Sequence, residues 1–136
     1  MHHCLGRFSR KVIVGLNATL RDYGRLGVLL ANEGVVGGRQ IVPAAWVRAM
    51  TSAEAAHLRY GAASPVGGYG YQTWLIDPGE PYFALLGIRG QAIFVDPVTK
   101  VVVVFTAAHA ALDMASRREQ YALFYATVGA FQSPSK

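Results

Sequence analysis

A single cysteine, Cys4, stands among the 136 residues, so an internal disulfide is excluded and the redox compartment stays open. Charge is scarce as well. Only 15% of the residues are Asp, Glu, Lys or Arg, where about 25% is usual. No apolar run is long enough to span a bilayer, which needs about 20 residues; the longest, Val101 to Leu112, is broken by Thr106 and His109. The N-terminus has no secretory apolar core, since Leu5 to Lys11 includes Arg7, Ser9, Arg10 and Lys11. No membrane partner is expected, and a cytoplasmic location is the default for a compartment otherwise unknown. The net charge of +5 is scattered, with no aromatic-plus-basic motif and no Cys/His finger spacing, so no nucleic-acid partner is expected either. Internal repeats and low-complexity tracts are absent.

What the chain does have is apolar surface. Hydrophobic residues make up 52% of it, beside 15 glycines. A domain this small has much surface per unit volume and normally covers it with charge. The excess implies that part of the surface is meant to be covered by something else, and that an uncovered sheet would drive self-association.

The pattern divides the chain into an irregular basic segment, 1–14, a structured body, 15–131, and a tail, 132–136. Thr19, with Asp22 three residues on, starts a helix whose apolar positions are Leu20, Tyr23, Leu26, Leu30 and Ala31, and Gly34 ends it. Gly24 and Gly27 inside that helix predict close approach to a neighbour. Gly37-Gly38 turns two short β-prone pieces, and Pro43 opens a second helix over Ala44 to Met50. The segment from Thr51 to Gly68 reads as a loop. Strands are predicted at Tyr69 to Ile76, Tyr82 to Ile88, Gln91 to Val95 and Val101 to Thr106. The last is apolar on both faces, which predicts a central strand. Asp96-Pro97-Val98-Thr99 turns into it. Asp113 is placed as cap of a final helix to about Phe131, with Met114, Tyr121, Tyr125 and Val128 as its apolar stripe. The fold class is α+β: an antiparallel sheet with packed helices.

Hydrolytic chemistry needs a nucleophile, a base and an oxyanion site. The only Ser-x-x-Lys is Ser133 to Lys136, at a Pro134-containing terminus that cannot hold a lysine desolvated on a hydroxyl. There is no Gly-x-Ser-x-Gly elbow. His57 and His109 read as ordinary surface or packing histidines. His2, His3 and Cys4 are consecutive and do not converge on one ion, so no metal site is expected. Tyr69, Tyr71 and Trp74 alternate along a predicted strand and fit core packing or a pocket wall. Gly87-Ile88-Arg89-Gly90-Gln91 differs from all of these. Glycines flank a cationic side chain at the end of an apolar strand, where a substrate can approach the main chain.

Four segments together carry a resemblance: Gly15 to Asp22-Tyr23 with Leu26-Gly27, Gly34 to Pro43 with Trp46-Val47, Gly68-Tyr69-Gly70-Tyr71-Gln72-Thr73-Trp74, and Gly87 to Gln91 followed by Phe94-Val95-Asp96-Pro97 and Val101 to Phe105. In this order they resemble the C-terminal part of β-lactamase-related serine hydrolases, the superfamily of penicillin-binding proteins and class C β-lactamases, nearest its 6-aminohexanoate-dimer hydrolase-like branch. The resemblance implies the C-terminal portion of a β-lactamase/transpeptidase-like fold. It also implies acyl-enzyme hydrolysis of a small-molecule amide or ester, needing no cofactor.

By that resemblance Ile88-Arg89-Gly90 occupies the place of the family's Lys-Thr-Gly strand motif. Gln91 would then offer a backbone N–H to the oxyanion. Arg89 is more basic than the pattern usually has, and its planar donor fork suits a substrate carboxylate. The family's Ser-x-x-Lys and tyrosine motifs fall before Gly15, so the chain is expected to be a fragment that is inert alone. The alternative is a non-catalytic binding or subunit protein derived from the same fold.

Overall fold

The computed structural model describes residues 16–65, 67–109 and 114–132. The Asp113 cap, the Ser133–Lys136 pair and the His2-His3-Cys4 cluster lie outside the described residues.

Helix α1, Leu20–Ala31, starts as the capping pattern predicts. The Thr19 hydroxyl accepts from the Asp22 N–H and donates to the Asp22 carboxylate at 2.7 Å. A two-residue hairpin follows, β1 Val35–Val36 against β2 Arg39–Gln40, turned at Gly37 and Gly38, both at positive φ. Pro43 is the N-cap of α2, Ala44–Met50. The next stretch is loop apart from a 3-10 turn at Ala56–Leu58.

Five antiparallel strands then run as a meander in simple order: β3 Gly68–Tyr69, β4 Trp74–Leu75, β5 Phe83–Leu86, β6 Ala92–Val95 and β7 Val102–Phe105. The chain closes with α3, Met114–Gln132. The α+β class is as expected. Period-two alternation sorts the strand residues onto two faces. Phe83, Leu85, Ile93, Val95, Val102 and Val104 pack with Leu26, Leu30 and Ala31 of α1. Ala84, Leu86, Ala92, Phe94, Val103 and Phe105 pack with Phe124 and Val128 of α3. The sheet is therefore the middle of three layers, and a core lies on each side of it.

Four expectations are corrected. Tyr69 to Ile76 is not one strand: it folds back on itself as β3 and β4. Gly70 donates to the Thr73 carbonyl at 2.9 Å, Gln72 sits at φ 60°, and the buried Thr73 hydroxyl bonds the Met50 carbonyl at the end of α2. Secondly, among the described residues β7 is the last strand in the order rather than a central one. It is apolar on both faces because a helix covers each face, which demands no second strand neighbour. Thirdly, the buried stripe of α3 is Arg117, Gln120, Phe124 and Val128, with Tyr121 partly buried against the core, whereas Met114 is exposed. Lastly, the two glycines of α1 differ. A Cβ at Gly27 would overlap Val102 Cγ1, but one at Gly24 meets nothing within 4 Å.

The turns between strands are tied to the helices. The Asp96 carboxylate accepts from Val98 N–H at 2.7 Å and from the Thr99 hydroxyl at 2.5 Å, and Lys100 donates to the Ala31 carbonyl at the end of α1. That lysine satisfies one of the carbonyls that a helix C-terminus leaves without a partner.

Candidate functional site

The β5–β6 connection, Gly87 to Gln91, is the segment that sequence reasoning singled out. Its geometry follows from one glycine and three bridges. Gly90 takes φ 88°, and the His109 ring lies so close that a Cβ there would overlap it. Only glycine fits both conditions without strain. Across the base of the turn the Gly87 N–H donates to the Gln91 carbonyl at 2.8 Å, and the Arg89 N–H donates to the Gln91 side-chain oxygen at 3.0 Å. The chain leaving β7 closes the third side: His109 N–H donates to the Arg89 carbonyl, and the Arg89 guanidinium donates to the His109 carbonyl, both at 3.0 Å.

Register explains why this turn borders an edge left open among the described residues. Ile76 N–H donates to the Tyr82 carbonyl, and Trp74 faces Ala84, so even-numbered residues of β5 bond toward β4. Leu86 is next in that series. Its backbone groups point to the side where β4 has already ended, because the chain turns away at Gln72 and Thr73. A shallow groove of about 350 Å³ opens there. Gln72, Leu86, Gly87, Ile88 and Gln91 line it from the sheet, and Tyr23 and Leu26 line it from α1. Ile88 is 74% exposed, an apolar side chain at the rim with no cover among the described residues.

The sequence-predicted residues separate into three places. Ile88 and Gln91 line the groove, and Gly90 shapes the turn from beneath. Arg89 turns its guanidinium to the chain after β7, not to the groove lining. Tyr69 and Trp74 form an edge-to-face pair at 4.9 Å and line a different hollow, with His57, Leu58, Ala62 and Ala63. Tyr71 is on the surface, stacked on Trp46 at 5.3 Å, and its hydroxyl donates to Glu54 at 2.7 Å. That bond to a carboxylate raises the Tyr71 pKa, since ionising the phenol would set two negative charges together.

Two residues of α3 outside the expected apolar stripe hold the turn from below. On α3, the Arg117 guanidinium donates to the Gly87 carbonyl at 2.8 Å and to the Gln120 side-chain oxygen at 2.9 Å. The Gln120 amide donates in turn to the Gly90 carbonyl at 2.8 Å. Both side chains are buried, and burial lowers the Arg117 pKa by disfavouring its charged form. The signal was present in the sequence. Arg117, Gln120, Phe124 and Val128 follow helical spacing, but polar residues are not normally counted in an apolar stripe.

The chemistry available among the described residues is that of a turn presenting main-chain donors. Lys100 is their only lysine and is engaged at the end of α1, and the Ser52 hydroxyl donates to the Ala49 carbonyl at 3.4 Å. No group of three or more His, Cys, Asp or Glu side chains that could hold a metal occurs among them.

Comparison with known proteins agrees with this architecture. Residues 8–126 match the family described as Beta-lactamase. A 6-aminohexanoate-dimer hydrolase of Paenarthrobacter ureafaciens is 29% identical over 94 residues, which is 66% of this chain and 24% of that protein. A solved Bacillus anthracis structure, assigned as a 6-aminohexanoate-dimer hydrolase, superposes with a TM-score of 0.68 at 31% identity, covering 84% of this chain and 29% of that one. The chain thus spans about a quarter of the length of the relatives it matches.

Proposed function

The chain belongs to the beta-lactamase family, and from that premise we propose that it forms the sheet wall of a serine acyl-transfer site for a small amide or ester. The observation that carries this reading is the Gly87–Gln91 turn beside an apolar groove and a strand edge that no described residue covers. In this proposal a serine that this chain does not supply attacks the substrate carbonyl and gives its proton to a neighbouring lysine or tyrosine. The carbonyl oxygen becomes the oxyanion, and the Gln91 N–H shares its charge with the serine's own N–H. Collapse of the tetrahedral species expels the amine or alcohol, which takes the proton held by that lysine or tyrosine, and water then hydrolyses the acyl-enzyme. The apolar groove takes the substrate's alkyl part. The same groove is what the serine-bearing part of the fold would cover, and without that part its apolar edge favours self-association.

Intact-mass measurement after incubation with a fluorophosphonate tests this proposal. The chain alone is expected to gain no adduct. Mixed with a polypeptide carrying the family's Ser-x-x-Lys and tyrosine motifs, one adduct is expected on that added serine. A stoichiometric adduct on a serine of this chain would overturn the reading.

A further inference from the structure

The bonds beneath the β5–β6 turn have a direction. Arg117 is a buried cation, and the two ion pairs recorded among the described residues, Arg25–Asp22 and Arg48–Glu33, lie elsewhere. Its charge is spent on neutral acceptors: the Gly87 carbonyl and the Gln120 amide oxygen. Gln120 passes the polarisation on by donating to the Gly90 carbonyl. Each of these carbonyls belongs to a peptide unit whose other end is an N–H at the turn. Gly87 C=O shares its unit with Ile88 N–H, and Gly90 C=O shares its unit with Gln91 N–H. Drawing electron density toward a carbonyl oxygen withdraws it from the amide nitrogen and makes that N–H a stronger donor. Bonds to an ionised donor are roughly twice as strong as neutral ones, and each link in a chain strengthens the next by about 10–30%. Among the described residues neither the Ile88 nor the Gln91 N–H has an acceptor.

We propose that Arg117 and Gln120 are positioning residues: a buried cation and an amide relay that polarise the Gly87–Ile88 and Gly90–Gln91 peptide units, so that the turn offers strengthened N–H donors to a developing oxyanion. The proposal rests on the acyl-transfer reading for what the donors face, though the polarisation itself is a property of this chain alone. Arginine suits the task because its fork reaches two acceptors at once, which a lysine cannot do in the same geometry.

The test uses the whole chain and residue-resolved NMR. An N–H without an acceptor exchanges at its chemical rate, and hydroxide removes its proton faster the more its peptide is polarised. Gln120→Met keeps side-chain length and removes the donor to Gly90. The expected result is an upfield shift of the Gly90 carbonyl carbon and several-fold slower hydroxide-catalysed exchange at Gln91 N–H, with Ile88 unchanged. Arg117→Met should slow both Ile88 and Gln91, and Arg117→Lys should restore one of the two. Gly87 N–H, bonded to the Gln91 carbonyl, serves as the internal control. If the role is only structural, loosening speeds exchange at Gly87 and does not slow Gln91, and that result overturns the proposal. Should Arg117→Met fail to fold, the Gln120 variant decides alone. Failure of the acyl-transfer reading would show instead as no adduct on the added serine while the exchange pattern holds, so the two failures are distinguishable.

Discussion

Substituting the two glycines of α1 by alanine should move stability in opposite directions. Both lie inside a helix, where alanine is favoured over glycine by about 1 kcal/mol, so this backbone gain is common to the pair. Packing is not common to them. At Gly24 the added methyl meets nothing within 4 Å. At Gly27 it would overlap Val102 Cγ1 and stand 3.0 Å from Ile93 Cγ2, against about 3.5–4.0 Å for an unstrained carbon pair. Val102 is β-branched and restricted at χ1, so relief requires α1 to back away from the sheet. Overpacking of this kind costs about 1–3 kcal/mol. Gly24→Ala should therefore stabilise by about 0.5–1 kcal/mol, and Gly27→Ala should fall below it by about 1–3 kcal/mol. Urea unfolding followed by the fluorescence of Trp46 and Trp74 measures both, and the midpoints should separate without a change in slope. Gly27→Ala combined with Val102→Ala should cost less than the two single changes summed, because the second substitution makes room for the first. Equal shifts for both alanines, or strict additivity in the double variant, would refute the close-approach argument.

The β3–β4 turn gives a second expectation. Thr73→Val keeps shape but deletes the hydroxyl bonded to the Met50 carbonyl, leaving that acceptor unpaired, and should cost about 1–3 kcal/mol in the same urea assay. Alkaline pH gives a third. Burial, followed by the bond and charge of Asp77, raises the Tyr125 pKa above its ordinary 10.0. A folded-state pKa above the unfolded one means that this contribution is fully present below pH 10.0 and is lost as pH rises further toward the folded value. The melting temperature should fall above that pH, and Tyr125→Phe should flatten this limb; an unchanged limb would show that Tyr125 does not control it.

The elements most legible in the sequence are those whose signal is local. The Thr19–Asp22 cap, the Gly37-Gly38 turn and the Asp96–Thr99 turn each depend on residues within a few positions of one another. All three form as the pattern implies. The misreadings came from partners distant in the chain. The aromatics Tyr69, Tyr71 and Trp74 give the segment a strand-like composition, but the fold there is set by Thr73 reaching Met50 on α2. The run Val102–Phe105 reads as central because the two helices covering it come from either end of the chain. Of the candidate site, the turn at Gly87–Gln91 was readable from its glycines. Its buried support was legible only as helical spacing, since Arg117 and Gln120 look like surface residues until the carbonyls they bond are known.

The meander order has a consequence for how the chain reaches this structure. Among the described residues every strand of the five-stranded sheet pairs only with its neighbours in sequence, so each pairing closes a short loop and sacrifices little chain entropy. The sheet is thus a low-contact-order unit of the kind that assembles quickly. Docking α1 is the opposite case, because Gly27 must find Val102 across most of the chain. The entropic cost of closing that span grows only logarithmically with its length, so equilibrium stability is little affected. The search time carries the burden instead. The α1-facing side of the sheet, with Phe83, Ile93 and Val95, should consequently be the last hydrophobic surface to be sealed, and amide exchange beneath α1 should report it as the first to reopen.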